Sequence, residues 1–225
     1  YVINADETSV KVSLKLRLIS NHALWFVDDL YAEDFSFQEL QSLADVFENN
    51  SVPTITKVFG DLPDVDQNGK INIVLSGQLL TGKISGKFGY VYPTDLLASG
   101  TFQGLTNEGD FLYLATPSKV VELTKYTRTD YFEKLMPGTM VHELKHLVAA
   151  SARILKGKPL EQSWLEEPSA VAAEMLVGQR LSVIASKAKY ALANPQNYRV
   201  VHLWKPGGAD DLLSMYGYNF LFLWR

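Results

Sequence analysis

One stretch in the second half of the chain, His142-Glu143-Leu144-Lys145-His146, constrains the fold more than any other. The two histidines are four residues apart, so on an α-helix both side chains project from one face. Apolar residues flank them at helical spacing: Val141, Leu144, Leu147 and Val148. Pro137-Gly138-Thr139, just before, is typical of a helix entry. The sequence therefore predicts a packed helix that presents two imidazoles side by side.

Two neutral imidazole nitrogens on one helix face can bind a single Zn²⁺. Glu143 lies one step round the helix and can reach a water molecule bound to that ion. Zinc lowers the pKa of such a water from about 15.7 to about 7. The pattern H-E-x-x-H thus predicts metal-assisted hydrolysis of a carbonyl group. The alternative is an amphipathic helix whose histidines are partly buried and hydrogen-bonded.

A zinc site of this kind needs a third protein ligand and leaves the fourth position open. The segment from Trp164 to Glu174 predicts the start of a second helix, which we expect to run roughly from Pro168 to Lys189. Glu167 and Glu174 are two helical turns apart and face the same way. Glu167 could then bind the metal while Glu174 accepts a hydrogen bond from a ligand histidine. The alternative for these carboxylates is a solvated helix face.

These segments together resemble a known family. The run from His142 to His146, followed by Trp164-Leu165-x-Glu167, is similar to the gluzincin metallopeptidases, in which HExxH is followed by W-L-N-E-G and then by another acidic residue. Within that clan the chain most resembles the hyicolysin-like neutral metallopeptidases. The resemblance covers about residues 38 to 225, and its further segments are Asp64 to Lys70, Phe88-Gly89-Tyr90, Ser163-Trp164-Leu165 and Tyr216-Gly217-Tyr218.

The resemblance implies a role for each matching residue. His142, His146 and Glu167 would be the zinc ligands, Glu143 the general base and Glu174 the carboxylate behind a ligand histidine. A later helix supplies the oxyanion donor in gluzincins. Tyr216, with Phe220 one turn on, resembles the Y-x-x-x-F pattern of related aminopeptidases, and Tyr218 is the alternative.

The chain departs from the family motif at two positions. Glu166 and Pro168 stand where the motif has asparagine and glycine, so two adjacent carboxylates compete for the ligand role. We favour Glu167, because only Glu167 keeps both the motif register and the two-turn step to Glu174.

The fold implied by the resemblance is an α+β, thermolysin-like catalytic domain with two lobes. Residues 36–150 would form a lobe of mixed sheet and helices that includes the active-site helix, and residues 151–225 a mainly helical lobe. Residues 1–35 would form an N-terminal β segment that either joins the sheet of the upstream lobe or belongs to a small preceding domain. The sequence starts at Tyr1 and stops within an apolar stretch, so we expect a trimmed segment whose helical lobe continues.

Local patterns predict several elements of the upstream lobe. Alternating apolar residues from Val10 to Leu18 indicate a half-buried strand, and Ser36 to Phe47 an amphipathic helix with a Ser36–Glu39 capping box. Further strands are predicted at 70–75, 87–92 and 111–115. We expect the strand from Phe111 to lie beside the active-site helix, as the sheet edge along which an extended peptide could pair.

Asp64-x-Asp66-x-Asn68-Gly69 has the oxygen spacing of a calcium loop, with glycine at the sharp turn. Leu75 occupies the twelfth position where an EF-hand has glutamate, so a complete EF-hand is excluded. The two interpretations are a Ca²⁺ site formed by Asp64, Asp66 and Asn68, or an Asx-rich turn that leads into a strand.

Composition excludes several classes of function. The absence of cysteine excludes disulfides and thiol catalysis, and the net charge of -4 argues against nucleic acid as a partner. No apolar run is long enough for a membrane span. The resemblance implies a bacterial protein that is secreted or at the cell surface, whereas no feature of the sequence defines an oligomeric state.

The sequence thus predicts a zinc-dependent endopeptidase that acts on proteins or peptides. Internal cleavage is favoured because the G-x-M-E-N segment with which aminopeptidases of this clan hold a free amine is absent. The competing hypothesis is a surface module that keeps zinc but recognises a protein partner without cutting it. Retention of Glu143 favours the enzyme, since a purely structural zinc site needs no base.

Overall fold

A computed structural model describes residues 1–4, 6–81, 87–101 and 105–179, together with positions 185, 186, 188, 189, 192, 193 and 195. In this part of the chain the fold is α+β, with a mixed sheet and helices, and it is compatible with a metallopeptidase domain.

The described strands form a two-stranded and a five-stranded sheet. In chain order they are β1 Val2–Ile3, β2 Ser9–Val10, β3 Leu14–Ile19, β4 Ala23–Asp28, β5 Ile71–Leu75, β6 Gly89–Tyr90 and β7 Phe111–Leu114. The larger sheet has the order β3-β4-β5-β7-β6; β4, β5 and β7 are parallel, and the two edge strands are antiparallel to their neighbours. The first 35 residues therefore contribute β3 and β4 to the same sheet as β5 and β7.

The described helices lie mainly downstream of β4. They are α1 Phe37–Val46, α2 Val52–Val58, α3 Pro117–Leu123, α4 Arg128–Asp130, α5 Met136–Ile154 and α6 Ser163–Leu176. The predicted capping box is confirmed at the start of α1, where the Ser36 hydroxyl accepts from the Glu39 N–H at 3.2 Å and the Glu39 carboxylate accepts from the Ser36 N–H at 2.8 Å.

The core is built around β5 and α5. All five residues of β5 are buried, because α5 packs on one face of the sheet and the β1–β2 hairpin, with its aromatic neighbours, lies over the other. The apolar stripe predicted on α5 is confirmed, with Val141, Leu144, Leu147 and Val148 at most 1% exposed. Burial of this stripe fixes the rotation of α5 about its axis, and hence the direction in which its histidines project.

Two predicted features of the sheet are wrong. The strand predicted from Val10 to Leu18 is split, and Leu14 and Leu16 in β3 are 36% and 46% exposed rather than buried, because β3 is an edge strand. The strand at Phe111 does lie beside α5, as predicted, but its position at the sheet edge is wrong: β7 lies between β5 and β6, and the edge strand near α5 is β6.

The second site helix is displaced from its prediction. It starts at Ser163 and ends at Leu176, so Pro168 lies in its second turn rather than its first. Val177 leaves the helical conformation and Gly178 adopts a positive φ of 72°, which glycine tolerates without strain. The earlier start brings Glu166 and Glu167 into the body of the helix, where their side-chain directions are set by packing against α5.

Candidate metal centre

Two imidazoles from α5 and one carboxylate from α6 converge. The rings of His142 and His146 lie 4.7 Å apart between centroids and are inclined by 76°. Their Nε2 atoms lie 3.5 Å and 3.7 Å from the same oxygen, Oε2 of Glu167. Three potential metal ligands therefore meet at one point between the two helices.

The other ring nitrogen of each histidine is held by a carboxylate. Nδ1 of His142 lies 2.7 Å from Oε1 of Glu174, and Nδ1 of His146 lies 2.7 Å from Oε1 of Glu166. With its proton on Nδ1, each neutral ring donates to its carboxylate and keeps the Nε2 lone pair free for a metal. The sequence predicts this arrangement for Glu174, whereas for Glu166 it indicates only a competing metal ligand.

The spacing of the donor atoms suits a tetrahedral metal ion. Ligands about 2.1 Å from a zinc ion in tetrahedral geometry lie about 3.4 Å from one another. The two distances to Glu167 Oε2, 3.5 Å and 3.7 Å, are close to that separation. Two nitrogens and one oxygen are also a donor set that zinc accepts in catalytic sites, with a fourth position left open. The residues present therefore fit a zinc ion.

The electrostatics of this group favour a bound cation. Burial by itself lowers the pKa of His146, but hydrogen bonds to Glu166 and Glu167 outweigh burial and raise it to about 10. Burial by itself raises the pKa of Glu167, yet its hydrogen bonds to the two imidazoles hold that pKa well below its usual range. The carboxylates thus stabilise positive charge between the rings, which a divalent metal can supply in place of protons.

Glu143 lies on α5 between the two histidines and is 7% exposed. Burial raises the pKa of its carboxyl, and the nearby imidazoles oppose that shift. A raised pKa brings a carboxylate closer to the range in which a general base works near neutral pH. A Cβ placed on Gly89 of β6 would meet Glu143 Cγ at 2.9 Å, so the sheet edge packs directly against this side chain.

The candidate calcium ligands at the acidic loop after α2 differ from the predicted set. Potential ligand oxygens of Asp64, Asp66 and Asp110 lie within 4.8 Å of one another. Asn68 instead donates from its amide to Asp66 Oδ2 at 2.7 Å and accepts from the Lys70 N–H at 2.7 Å. The sequence does not predict a role for Asp110, because no local signal connects this residue to the loop. The hydrogen bonds are those of an Asx-rich turn, and calcium binding stays a prediction.

Tyr216, Tyr218 and Phe220 lie outside the described residues, so the predicted oxyanion donor has no structural account here. Within the described ranges, the longest helices are too short or too polar to cross a membrane.

Comparison with known proteins identifies a distant relative of this chain. No family model matches the chain. The chain is similar to the neutral metalloprotease ShpI of Staphylococcus hyicus, with 26% identity over 219 residues. The match covers 94% of this chain but 46% of that protein, so the chain spans about half the length of its relative. This similarity supports a metallopeptidase at a general level and agrees with the His142, His146 and Glu167 group as a candidate metal site.

Proposed function

We propose that this chain is the catalytic part of a zinc-dependent endopeptidase. The observation that carries the proposal is the convergence of His142 Nε2 and His146 Nε2 on Glu167 Oε2, with both Nδ1 atoms hydrogen-bonded to carboxylates. A structural zinc site needs only ligands. Here a buried glutamate, Glu143, also lies beside the ligands, which suits a site built for hydrolysis.

His142, His146 and Glu167 would hold the metal, with Glu174 and Glu166 fixing the two rings. A zinc ion bound there would polarise the substrate carbonyl and make a water molecule acidic near neutral pH. Glu143 would act as the general base that accepts a proton from the attacking water, and would then donate that proton to the nitrogen of the leaving amine. Tyr216 is the proposed donor to the developing oxyanion, and Tyr216→Phe should lower kcat about 10²- to 10³-fold.

The proposed substrate is an extended peptide bound along the sheet edge. Strand β6 pairs with β7 on one side, and no described strand pairs with its other side. Gly89 in β6 packs against Glu143, so a peptide added to this edge would run past the proposed base. Cleavage inside the peptide is preferred, because the chain has no G-x-M-E-N segment to hold a free amine.

Two further parts of the proposal rest on resemblance. The α+β fold with a site between α5 and α6 is consistent with a thermolysin-like domain whose helical lobe follows residue 150. The similarity to a staphylococcal neutral metalloprotease supports the proteolytic activity, and with the sequence resemblance it is the basis for proposing a secreted or surface location.

The test is cleavage of internally quenched peptides, blocked at both ends, by the zinc-loaded full chain. Glu143→Gln is the matched control, because it keeps the shape of the side chain and removes the base. We expect cleavage to fall by about 10²- to 10⁴-fold in this variant while zinc stoichiometry is unchanged. A chelator should abolish cleavage and added zinc should restore it.

Three outcomes would each contradict a part of this proposal. If Glu143→Gln cleaves as fast as the unmodified protein, the proposed base is wrong. If the protein binds one zinc but cleaves no peptide or protein in the mixture, the surface module that recognises a partner becomes the better hypothesis. Cleavage only of peptides with a free N-terminus would reject the preference for internal cleavage.

A further inference from the structure

A buried lysine lies next to the proposed metal centre. Lys145 directly precedes His146 on α5, and its side chain is only 2% exposed. Lysine is almost never buried to this extent unless its charge is paired. The Lys145 ammonium contacts the Glu166 carboxylate at Oε2, and lies 3.2 Å from the Glu166 carbonyl oxygen and 3.6 Å from Glu161 Oε2.

One carboxylate connects this lysine to a proposed metal ligand. Oε2 of Glu166 contacts Lys145, whereas Oε1 lies 2.7 Å from His146 Nδ1. The two oxygens of a carboxylate are fixed relative to each other, so a contact that fixes one oxygen also restricts where the other can point. The position of the Lys145 ammonium therefore restricts the direction from which Glu166 accepts the hydrogen bond of His146.

Charge gives a second reason for the pairing. The Glu161 carboxylate lies close enough to Glu166 for the two negative charges to repel each other. The ammonium between Glu166 and Glu161 offsets that repulsion, because it is within 4 Å of both carboxylates. On the side away from the metal centre, Glu161 also pairs with Arg153, whose Nη1 lies 3.6 Å from Glu161 Oε1.

The sequence motif explains why this chain needs the lysine. Glu166 stands where the family motif has asparagine, whose neutral amide can accept a hydrogen bond without any cation beside it. A partly buried glutamate at the same position carries a charge that a nearby cation stabilises. The Lys145 ammonium, in contact with the Glu166 carboxylate, supplies that compensating charge.

We propose that Lys145 is a positioning residue: through Glu166 it fixes the ring of His146 and so strengthens metal binding by the His142, His146 and Glu167 group. The inference rests on the proposed function, since it concerns the same metal centre. It adds a residue that touches neither metal nor substrate. Carboxylates and other groups behind a ligand histidine typically change metal affinity by about 10- to 100-fold.

The test measures zinc affinity of the full chain by competition with a chromophoric chelator. Lys145→Met removes the charge and keeps most of the apolar stem, and we expect zinc to bind about 10- to 100-fold more weakly. Lys156→Met is the matched control, because it removes the same charge from an exposed position just past the end of α5. Its zinc affinity should stay within about twofold of the unmodified protein.

A double variant separates positioning from general stability. In Lys145→Met with Glu166→Gln, the pair is neutral and the glutamine oxygen can still accept from His146 Nδ1. We expect this double variant to bind zinc more tightly than either single variant. If Lys145 had a purely structural role, the losses of zinc affinity in the two single variants would instead add up in the double variant. The visible absorption of the Co²⁺-loaded proteins gives a second readout, with a shifted spectrum for Lys145→Met and a near-normal one for the double variant. If Lys145→Met does not fold, the comparison of Glu166→Gln with the double variant still decides the question.

The outcomes distinguish this inference from the proposed function. Zinc affinity of Lys145→Met within about twofold of the unmodified protein, or a double variant no better than the weaker single variant, would overturn the role of Lys145 while leaving the peptidase intact. Failure of the unmodified protein to bind zinc would overturn the proposed function and this inference with it.

Discussion

Gly89 lies where the sheet edge packs closely against the active-site helix. A Cβ at this position would lie 2.8 Å from Thr139 Cγ2, 2.9 Å from Glu143 Cγ and 3.1 Å from the Tyr113 carbonyl oxygen. Carbon atoms in favourable contact are about 3.5 to 4.0 Å apart. Gly89→Ala must therefore separate β6 from α5 by about 0.6 to 1 Å or push the Glu143 side chain aside by a similar distance.

The expected cost of Gly89→Ala follows from that displacement. Extra methyl groups in well-packed sites typically cost about 1 to 3 kcal/mol, and we expect the lower part of this range because β6 is a short edge strand. A displacement of about 1 Å in a catalytic group can reduce rates about 10²-fold, so kcat/KM should fall about 10- to 100-fold. Zinc stoichiometry should not change, because none of the three close contacts involves His142, His146 or Glu167.

The assay combines peptide cleavage with zinc content and thermal unfolding. Thr139→Ser is the companion variant, since it removes the methyl group that makes the shortest contact and keeps the hydroxyl that donates to the Leu135 carbonyl at 2.9 Å. Adding it to Gly89→Ala should restore part of the lost activity, whereas alone it should leave cleavage nearly unchanged. Full activity and full stability of Gly89→Ala would refute the close packing of β6 on Glu143.

Three further predictions concern charge. Glu174→Gln should weaken zinc binding about 10-fold in chelator competition, because the Glu174 carboxylate holds His142 Nδ1 at 2.7 Å. Zinc binding should release protons and become tighter as pH rises towards 10. Burial lowers the pKa of His146, but the carboxylates beside it outweigh burial and raise that pKa to about 10, whereas zinc binds the neutral ring. Calorimetry in buffers of different ionisation enthalpy measures the number of protons released. Burial, and to a lesser extent neighbouring carboxylates, raise the pKa of Asp110 to about 6, above an unfolded value of about 3.9, so its contribution to stability is present below pH 4 and is lost as pH rises through 6. Denaturant unfolding in calcium-free buffer measures this effect. At pH 7 the free energy of unfolding of Asp110→Asn should exceed that of the unmodified protein by about 1 to 2 kcal/mol, after allowance for solvent screening. At pH 4 the two proteins should be equally stable.

The sequence predicted the helices whose formation depends on interactions between residues close together in the chain. The capping box of Ser36 and Glu39 identified α1, and the apolar stripe identified the buried face of α5. The sheet edges could not be predicted, because strand order depends on contacts between distant segments. The apolar alternation of β3 favoured a half-buried strand, yet an edge strand can leave Leu16 46% exposed without losing its pairing to β4.

Site residues divide in the same way. Helical spacing alone brought His142 and His146 together, and the two-turn step from Glu167 to Glu174 predicted their common direction. Lys145 and Asp110 escaped detection, since each acts on a residue that is distant in sequence. Lys145 contacts Glu166 across the interface of two helices, and Asp110 reaches the Asp64 loop from the start of β7.

The adjacent carboxylates Glu166 and Glu167 show how helix geometry resolves an ambiguity that the sequence left open. Consecutive residues on a helix point about 100° apart, so they cannot both face the point where the two Nε2 atoms converge. Glu167 faces that point, whereas Glu166 reaches round the helix to His146 Nδ1 and Lys145. Each carboxylate therefore approaches a different nitrogen of His146, one from each side of the ring. The two glutamates thus have different surroundings: Glu167→Gln should remove one of the three proposed ligands, and Glu166→Gln should leave all three in place but loosen the ring of His146.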